Sequence, residues 1–172
     1  MHFPLMTELE SRPCLVVGSG EVASRRRAAL ERFGAAVRVV SPETAGRGFD
    51  DADVDGMTLV VAATDDRGVN RRVAAACRRR GVPVNVVDDA GLSTFFFPAV
   101  AVKGPFVVAV STGGRCPVAA RMLRDRLAGA VDGGFADAVR RLGEGRDELK
   151  RKVPDAGARR EYCEKELERW KD

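Results

Sequence analysis

The chain has 172 residues, of which 45% are hydrophobic and 31% charged, so it is long enough for one folded domain with a smaller appendage and is not expected to be disordered. Its net charge of +4 favours an anionic partner, without choosing between nucleic acid, a membrane surface and a polycarboxylate ligand. No apolar run approaches the roughly 20 residues of a membrane span, residues 1–10 show no secretory leader, and the four cysteines and single histidine lack metal-site spacing. We therefore expect a cytoplasmic protein without a bound structural metal.

The first predicted unit is a strand, a glycine turn and a helix. The apolar run 14–17 leads into Gly18-Ser19-Gly20-Glu21-Val22-Ala23, a G-x-G-x-x-A pattern, and then into a segment rich in Arg, Ala and Leu. In a dinucleotide-binding fold, Gly18 permits a tight turn, Gly20 lets the backbone approach a pyrophosphate, and Ala23 lets helix and strand pack closely. The helix N-terminus adds unpaired N–H groups and a partial positive charge. The position after a strand makes this pattern more specific than the glycines alone, and it predicts a coenzyme site.

A second strand is predicted at 36–40 and ends at Ser41-Pro42-Glu43. In such folds this strand tip carries the acid that meets the adenosine ribose, and Glu43 is the nearest candidate, although it could equally be a solvated turn residue. The absence of an arginine at this tip favours NAD over NADP. Residues 44–57 then hold several aspartates, which we interpret as a polar crossover between strands, because no bidentate glutamate follows as a calcium loop requires.

Two further strands are predicted, and their alternation with helices indicates a parallel sheet in an α/β fold. The β-branched and alanine run 58–63 is typical of a strand that is buried on both faces, and Thr64-Asp65-Asp66 ends it. Apolar residues at helical spacing predict a helix over 69–80, and a fourth strand follows at 82–87.

Asp88 is the candidate acid/base residue. It follows the fourth strand at the carboxyl edge of the sheet, where open α/β folds bind their ligands, and a carboxylate there can accept a proton from a bound substrate. Its neighbour Asp89 is expected to point the opposite way. The alternative is that either aspartate merely caps the next turn.

The rest of the chain is predicted to form a β-like pair and helices. Phe95–Pro98 and Phe106–Val110 are β-like, and the three adjacent phenylalanines either pack in the core or line a flat ligand. A second glycine-rich loop, 111–117, precedes a helix over 118–130. The amphipathic tail 135–172 predicts two helices broken around 154–157, whose charges we interpret as solvated faces, with a nucleic-acid patch as the alternative.

Six motifs in this order resemble the precorrin-2 dehydrogenase and sirohydrochlorin ferrochelatase family of sirohaem biosynthesis. They are Phe3-Pro4-Leu5, LVVGSGEVA at 15–23, LVVAATDD at 59–66, NVVDD at 85–89, FFFPA at 95–99 and VSTGGRCPVAARMLRDRL at 110–127. The resemblance covers about residues 3–128. It departs from the family pattern in a shorter link between the second strand and Thr58, and in Cys116 where serine is usual.

The resemblance implies NAD-dependent oxidation of precorrin-2 to sirohydrochlorin by a homodimer, and in bifunctional members insertion of ferrous ion at the same site. By motif position, the residues that line NAD are Gly18, Ser19, Gly20, Glu21, Val22, Pro42, Glu43, Ala63, Thr64 and Asp65. Asp88 matches the family's acid/base aspartate. Precorrin-2 carries eight carboxylates, so its expected binding residues are the donors at a helix start, Ser111, Thr112, Gly113, Gly114 and Arg115.

We therefore expect an NAD-binding Rossmann domain at 1–110, a central dimerisation and substrate segment at 111–130, and a helical C-terminal region at 131–172. Neither nucleic acid nor a membrane is an expected partner. A non-catalytic NAD-sensing module is the main alternative, because nucleotide domains of this size often serve binding alone, but it leaves NVVDD and STGG without a role.

Overall fold

The computed structural model describes residues 2–170, apart from the Arg169 side chain. Its contacts divide the chain into two compact units, Phe3–Phe97 and the residues from Pro98 onward together with His2. Each unit is described by itself. The functional division at residues 110 and 130 stays a prediction, and residues 1, 171 and 172 at its outer ends lie outside the described residues.

The first unit is built on a parallel sheet. Its strand order is β2-β1-β3-β4, with every neighbouring pair parallel, so the predicted α/β class is confirmed. The strands fall within two residues of their predicted bounds. In chain order, the elements are β1 Pro13–Val17, α1 Glu21–Glu31, β2 Ala36–Val40, α2 Pro42–Ala45, a 3₁₀ turn Asp51–Val54, β3 Leu59–Ala62, α3 Arg67–Arg80 and β4 Val84–Val86.

Two apolar cores sandwich this sheet. Alternate residues of the central strands β1 and β3 face α3 on one side, as Leu15 and Val60 do, and α1 on the other, as Val16 and Val61 do. Parallel strands covered on both faces explain why these segments read as continuous apolar runs. Cys14 and Cys77 are fully buried in these cores. Burial raises the pKa of both thiols, that of Cys77 to about 11, as expected for core residues.

The crossover from β2 to β3 is secured by ion pairs. The buried Asp53 carboxylate accepts hydrogen bonds from both terminal nitrogens of Arg47, at 2.8 and 2.6 Å, and from the Asp50 amide at 2.9 Å. Asp51 pairs with two arginines of α3 and Asp55 with a third. The aspartates of the predicted polar crossover thus pair with arginines, and among residues 2–170 no three His, Cys, Asp or Glu side chains group as metal ligands would.

The segment after β4 differs from its prediction as a strand. Residues 95–97 are irregular, and the next strand begins at Ala99. The reason is that side chains satisfy the free edge of β4: the Val84 amide donates to the Thr94 hydroxyl (2.8 Å) and the Val86 amide to the Ser93 hydroxyl (2.9 Å). Phe95 and Phe97 pack against the core on the α1 side, in agreement with the packing interpretation.

The second unit is a β-hairpin covered by helices. β5 (Ala99–Lys103) pairs antiparallel with β6 (Phe106–Val110), and α4 (Pro117–Gly129) packs on both strands. The tail forms α5 (Gly133–Glu144), α6 (Arg146–Lys152), α7 (Ala156–Glu166) and a 3₁₀ turn (Glu168–Trp170). The predicted break lies between α6 and α7, and a further boundary falls at Gly145. In the part of the chain that is described, no helix has the length and apolarity to cross a membrane.

Candidate functional site

The glycine turn after β1 is fixed by its two neighbouring strands. The Gly18 amide donates to the Val40 carbonyl at 2.9 Å, and the Ala63 amide donates to the Val17 carbonyl at 2.8 Å. Gly18 has φ +117°, and a Cβ built on it would lie 2.3 Å from the Ala63 carbonyl oxygen. No side chain fits there, so the sequence needs glycine to bring β1, β2 and β3 to one edge with the turn between them.

The N-terminus of α1 opens onto free space. Gly20 is the N-cap, in an extended conformation, and no side chain caps the helix. A Cβ on Gly20 would meet nothing within 4 Å. The amides of the first turn, including Glu21 and Val22, therefore keep their donors and the partial positive charge of the helix end for an anion. This is the geometry of a phosphate cradle, and it is where the sequence predicts one.

A small open cleft lies beside this helix end. Its volume is about 80 Å³, well below the roughly 300–1,000 Å³ of pockets that enclose whole ligands, so it matches one part of a dinucleotide. Ser24 and Arg27 on α1 belong to its wall, although the sequence did not single them out. The full lining is Val16, Gly18, Ser19, Ala23, Ser24, Arg27, Val39 and Thr44.

Glu43 is hydrogen-bonded to the glycine turn. The Ser19 hydroxyl donates to the Glu43 carboxylate at 2.8 Å. This bond, followed by those from the Glu43 backbone and the Ser41 hydroxyl, holds the pKa of Glu43 below its usual range. Ser41 also caps α2 through the Thr44 amide, and Pro42 occupies the first helical position. The sequence therefore presents an ionised acceptor at the tip of β2, next to the phosphate cradle.

The third predicted cofactor segment, Ala63 to Asp65, is held by a buried asparagine. The Asn70 amide group donates to the Thr64 carbonyl (2.8 Å), and its oxygen accepts from the Thr64 hydroxyl (2.8 Å). Asp66 caps α3 by accepting from the Gly68 amide, while Asp65 is exposed. Asn70 was not predicted, although a polar residue on the apolar face of α3 is a signal that could have revealed it.

Asp88 lies in the turn after β4, at the same carboxyl edge of the sheet. Its φ of +58° is left-handed, which is uncommon outside glycine and recurs at functional sites. Among residues 2–170 no hydrogen bond holds its carboxylate. Asp89 takes the capping role, since its carboxylate accepts from the Leu92 amide at 3.0 Å. The structure thus leaves Asp88 exposed and available.

Arg26, on α1, was missed in the sequence. Its guanidinium carbon is 4.4 Å from the centre of the Phe97 ring. Burial lowers the pKa of Arg26, the neighbouring charge of Arg25 lowers it further, and the charge of Asp88 raises it. Asn85, on β4, donates to the Phe95 carbonyl at 3.0 Å, while its own side-chain oxygen is buried and has no partner among the described residues.

The predicted substrate loop belongs to the second unit. Gly113 and Gly114 have φ of +63° and +82°, the Gly113 amide donates to the Ser111 hydroxyl, and the Cys116 amide to the Thr112 hydroxyl. The loop is largely exposed, as is Arg115, and no side chain caps α4 after it. The Gly113, Arg115 and Cys116 amides are thus used within the loop, whereas the hydroxyls of Ser111 and Thr112 act only as acceptors there and keep their protons for another partner. Its contact with a substrate stays a prediction.

Comparison with known proteins identifies the family. A family model described as "Putative NAD(P)-binding" matches residues 5–99, which is more than half of the chain. The chain belongs to this family. The siroheme synthase of Methylococcus capsulatus is 42% identical over 182 residues, covering 97% of this chain and 38% of the relative. The siroheme synthase of Pseudomonas entomophila is 40% identical over 178 residues, covering 95% and 38%.

A comparison with solved structures bears on the fold. The structure titled "SirC, precorrin-2 dehydrogenase" superposes with a TM-score of 0.70 at 24% identity, over 96% of this chain and 89% of that one, and shows the same fold. The resemblance that the six motifs indicate is confirmed by these relatives. The chain spans 38% of the length of the two siroheme synthases named above.

Proposed function

We propose that this protein oxidises precorrin-2 to sirohydrochlorin with NAD as the hydride acceptor. One observation carries the proposal: a phosphate cradle, an ionised Glu43 and a free Asp88 lie along the carboxyl edge of one parallel sheet. The names of the similar siroheme synthases and of the solved dehydrogenase support the choice of substrate.

The residues at the cradle fit a dinucleotide. Gly18 has no room for a side chain, and the space in front of Gly20 is open, so a pyrophosphate can reach the amides of Gly20, Glu21 and Val22. The Glu43 carboxylate, placed by Pro42, accepts from the ribose hydroxyls and repels a 2′-phosphate, which favours NAD over NADP. Ser19 orients Glu43, and the segment Ala63, Thr64 and Asp65 borders the same edge.

Asp88 supplies the proton chemistry. NAD, when bound, would supply the hydride acceptor, and the oxidation would also release a proton. The Asp88 carboxylate is exposed and not held by hydrogen bonds among the described residues, so it can accept that proton. The donors of Ser111, Thr112, Gly113, Gly114 and Arg115 hold carboxylates of the substrate in this proposal.

Insertion of ferrous ion into sirohydrochlorin is the second candidate activity. The free Asp88 carboxylate favours it, because a metal entering the macrocycle displaces two pyrrole protons that need an acceptor. In this proposal the ion is a substrate that the protein does not retain.

A second copy of the chain is the proposed partner. On α4, four apolar side chains are each about half exposed or more: Val118, Met122, Leu123 and Leu127. Such an exposed apolar face is typical of an interface. Light scattering during gel filtration tests for the dimer, with twice the monomer mass expected.

We place the protein in the cytoplasm, where NAD is available and where the four cysteines, all free thiols, stay reduced.

The test is turnover by the purified protein. Precorrin-2 and NAD are mixed with it, and the absorbance of sirohydrochlorin and of NADH is followed, with and without ferrous or cobaltous ion. Equal formation of both products is expected, faster with NAD than with NADP. NAD binding without turnover by a folded protein would instead support a non-catalytic NAD sensor.

A further inference from the structure

Three consecutive arginines on α1 have different environments. Arg25 lies on the exposed side, 3.8 Å from Glu21, and Arg27 pairs with Glu31 at 2.7 Å. Arg26 is partly buried, and its guanidinium lies over the Phe97 ring. Because successive helical residues are rotated by about 100°, the three side chains point in different directions, and Arg26 is the one that lies over the Phe97 ring.

Arg26 makes no ion pair with any of the described residues. A guanidinium has five N–H donors, and among residues 2–170 no hydrogen bond or ion pair satisfies those of Arg26. The face of the guanidinium rests on the Phe97 ring, which leaves its donor edge free. Partly buried cations are normally paired, so an unpaired one points to an anion that arrives from outside the chain.

The platform under Arg26 is fixed to the sheet. Phe97 packs against Phe95 with ring centres 5.3 Å apart, and the Phe95 carbonyl accepts from Asn85 on β4. The unpartnered oxygen of Asn85 is buried on the same side of the sheet, a feature that packing alone does not explain. Asp88 follows Asn85 by three residues and acts on the charge of Arg26. Arg26 therefore rests on an aromatic pair that is hydrogen-bonded to β4, the strand that Asp88 follows.

We propose that Arg26 binds a peripheral carboxylate of the tetrapyrrole and so holds the macrocycle beside Asp88. A guanidinium and a carboxylate form two parallel hydrogen bonds, which fix orientation as well as position. Arg26 does not belong to the lining of the cleft beside the start of α1, which includes Ser24 and Arg27, so we assign Arg26 to the substrate rather than to the coenzyme. This inference rests on the proposed function, since the tetrapyrrole is its substrate.

Kinetics of three full-length variants test the inference. Arg26→Gln removes the charge and the guanidinium, which makes the two parallel hydrogen bonds. Arg26→Lys keeps the charge and the contact with Phe97, and Arg25→Gln is the control on the exposed side. We expect Arg26→Gln to raise KM for precorrin-2 about 10-fold, with kcat within about twofold of the wild-type value. The KM of Arg26→Lys is expected to lie between those of Arg26→Gln and the wild type. The KM of Arg25→Gln is expected to match that of the wild type. NADH affinity is expected to be unchanged in all three.

A direct titration separates this inference from the proposed function. Sirohydrochlorin is titrated without NAD, and its Kd is expected to rise in Arg26→Gln by the same factor as KM. Wild-type Kd and KM in Arg26→Gln would overturn the inference, as would a parallel loss of NADH affinity and thermal stability, which indicates a structural role. Should the wild type bind sirohydrochlorin yet fail to oxidise precorrin-2, the proposed function fails while the titration still decides the role of Arg26.

Discussion

Gly18 is needed for the fold and Gly20 for coenzyme binding, and one substitution at each position tests the two roles separately. At Gly18, a side chain meets the Ala63 backbone oxygen at 2.3 Å and adopts φ +117°. Such a backbone conformation costs a non-glycine residue about 1–3 kcal/mol, and the clash adds to it because the β3 backbone cannot rotate away. We expect Gly18→Ala to lose about 3 kcal/mol of stability or more, lowering Tm by roughly 6–12 °C.

At Gly20 the protein tolerates a side chain and the coenzyme does not. Its φ of −69° suits any residue, and a Cβ meets no atom within 4 Å. As an N-cap, valine is about 1 kcal/mol worse than glycine, so Gly20→Val lowers Tm by at most about 4 °C. Its isopropyl group fills the space before the helix amides, and we expect NADH affinity to fall at least about 10-fold.

Circular dichroism measures Tm, and NADH fluorescence titration measures affinity. Wild-type NADH affinity in Gly20→Val would refute a phosphate cradle at the start of α1. Wild-type stability in Gly18→Ala would refute the steric argument for that glycine.

Substitutions at three further positions have distinct expected outcomes. Asp88→Ala lowers metal insertion about 100-fold and oxidation by less, and Asp88→Asn, which tolerates the left-handed backbone, separates proton transfer from strain. Glu43→Gln lowers NAD affinity about 10-fold. Since the Ser19 hydrogen bond lowers the pKa of Glu43, wild-type affinity stays constant as the pH falls to the usual value of 4.5 and declines only as it passes through the lowered pKa. Asp53→Asn costs about 1–3 kcal/mol in urea unfolding at neutral pH, a value reduced by the half-exposure of Arg47. Because the Arg47 bond lowers the pKa of Asp53, this difference persists below its usual value of 3.8 and vanishes as the pH falls through the lowered pKa.

Each of these has a contradicting result. If Asp88→Asn carried out both reactions at the wild-type rates, Asp88 would have no part in the mechanism. Asp89→Asn, which keeps a capping oxygen, is the control, and its rates are expected to equal those of the wild type. A loss of NAD affinity at low pH that Glu43→Gln shares with the wild type would exclude Glu43 as the titrating group. Unchanged urea unfolding in Asp53→Asn would show that the crossover does not depend on its ion pair.

The parallel sheet and the approximate bounds of its strands followed from local patterns. The runs at β1 and β3 are apolar on both faces because helices cover both, and this alone indicates a parallel sheet. The strand boundary at β2 agreed with its prediction because Ser41 and Pro42 mark the turn locally. The prediction of a strand at Phe95–Pro98 was wrong although the segment has β propensity. The hydroxyls of Ser93 and Thr94 satisfy the edge of β4, so the segment does not pair with it.

Candidate site residues could be proposed from the sequence where one residue carries its own signal and were missed where the signal is a contact. Gly18, Glu43 and Asp88 each follow a strand at a fixed position, so spacing finds them. Arg26 stands between two other arginines, and only its contact with Phe97, 71 positions away in sequence, distinguishes it. The bond between Ser19 and Glu43 likewise spans two loops that meet only in the fold.

The most direct test of the central claim is a crystal structure of the protein with NAD⁺. The account predicts the pyrophosphate oxygens within hydrogen-bonding distance of the amides at Gly20, Glu21 and Val22, with the adenosine ribose at the Glu43 carboxylate. A dinucleotide bound elsewhere on the chain, or side chains filling the space before Gly20 in the complex, would contradict it.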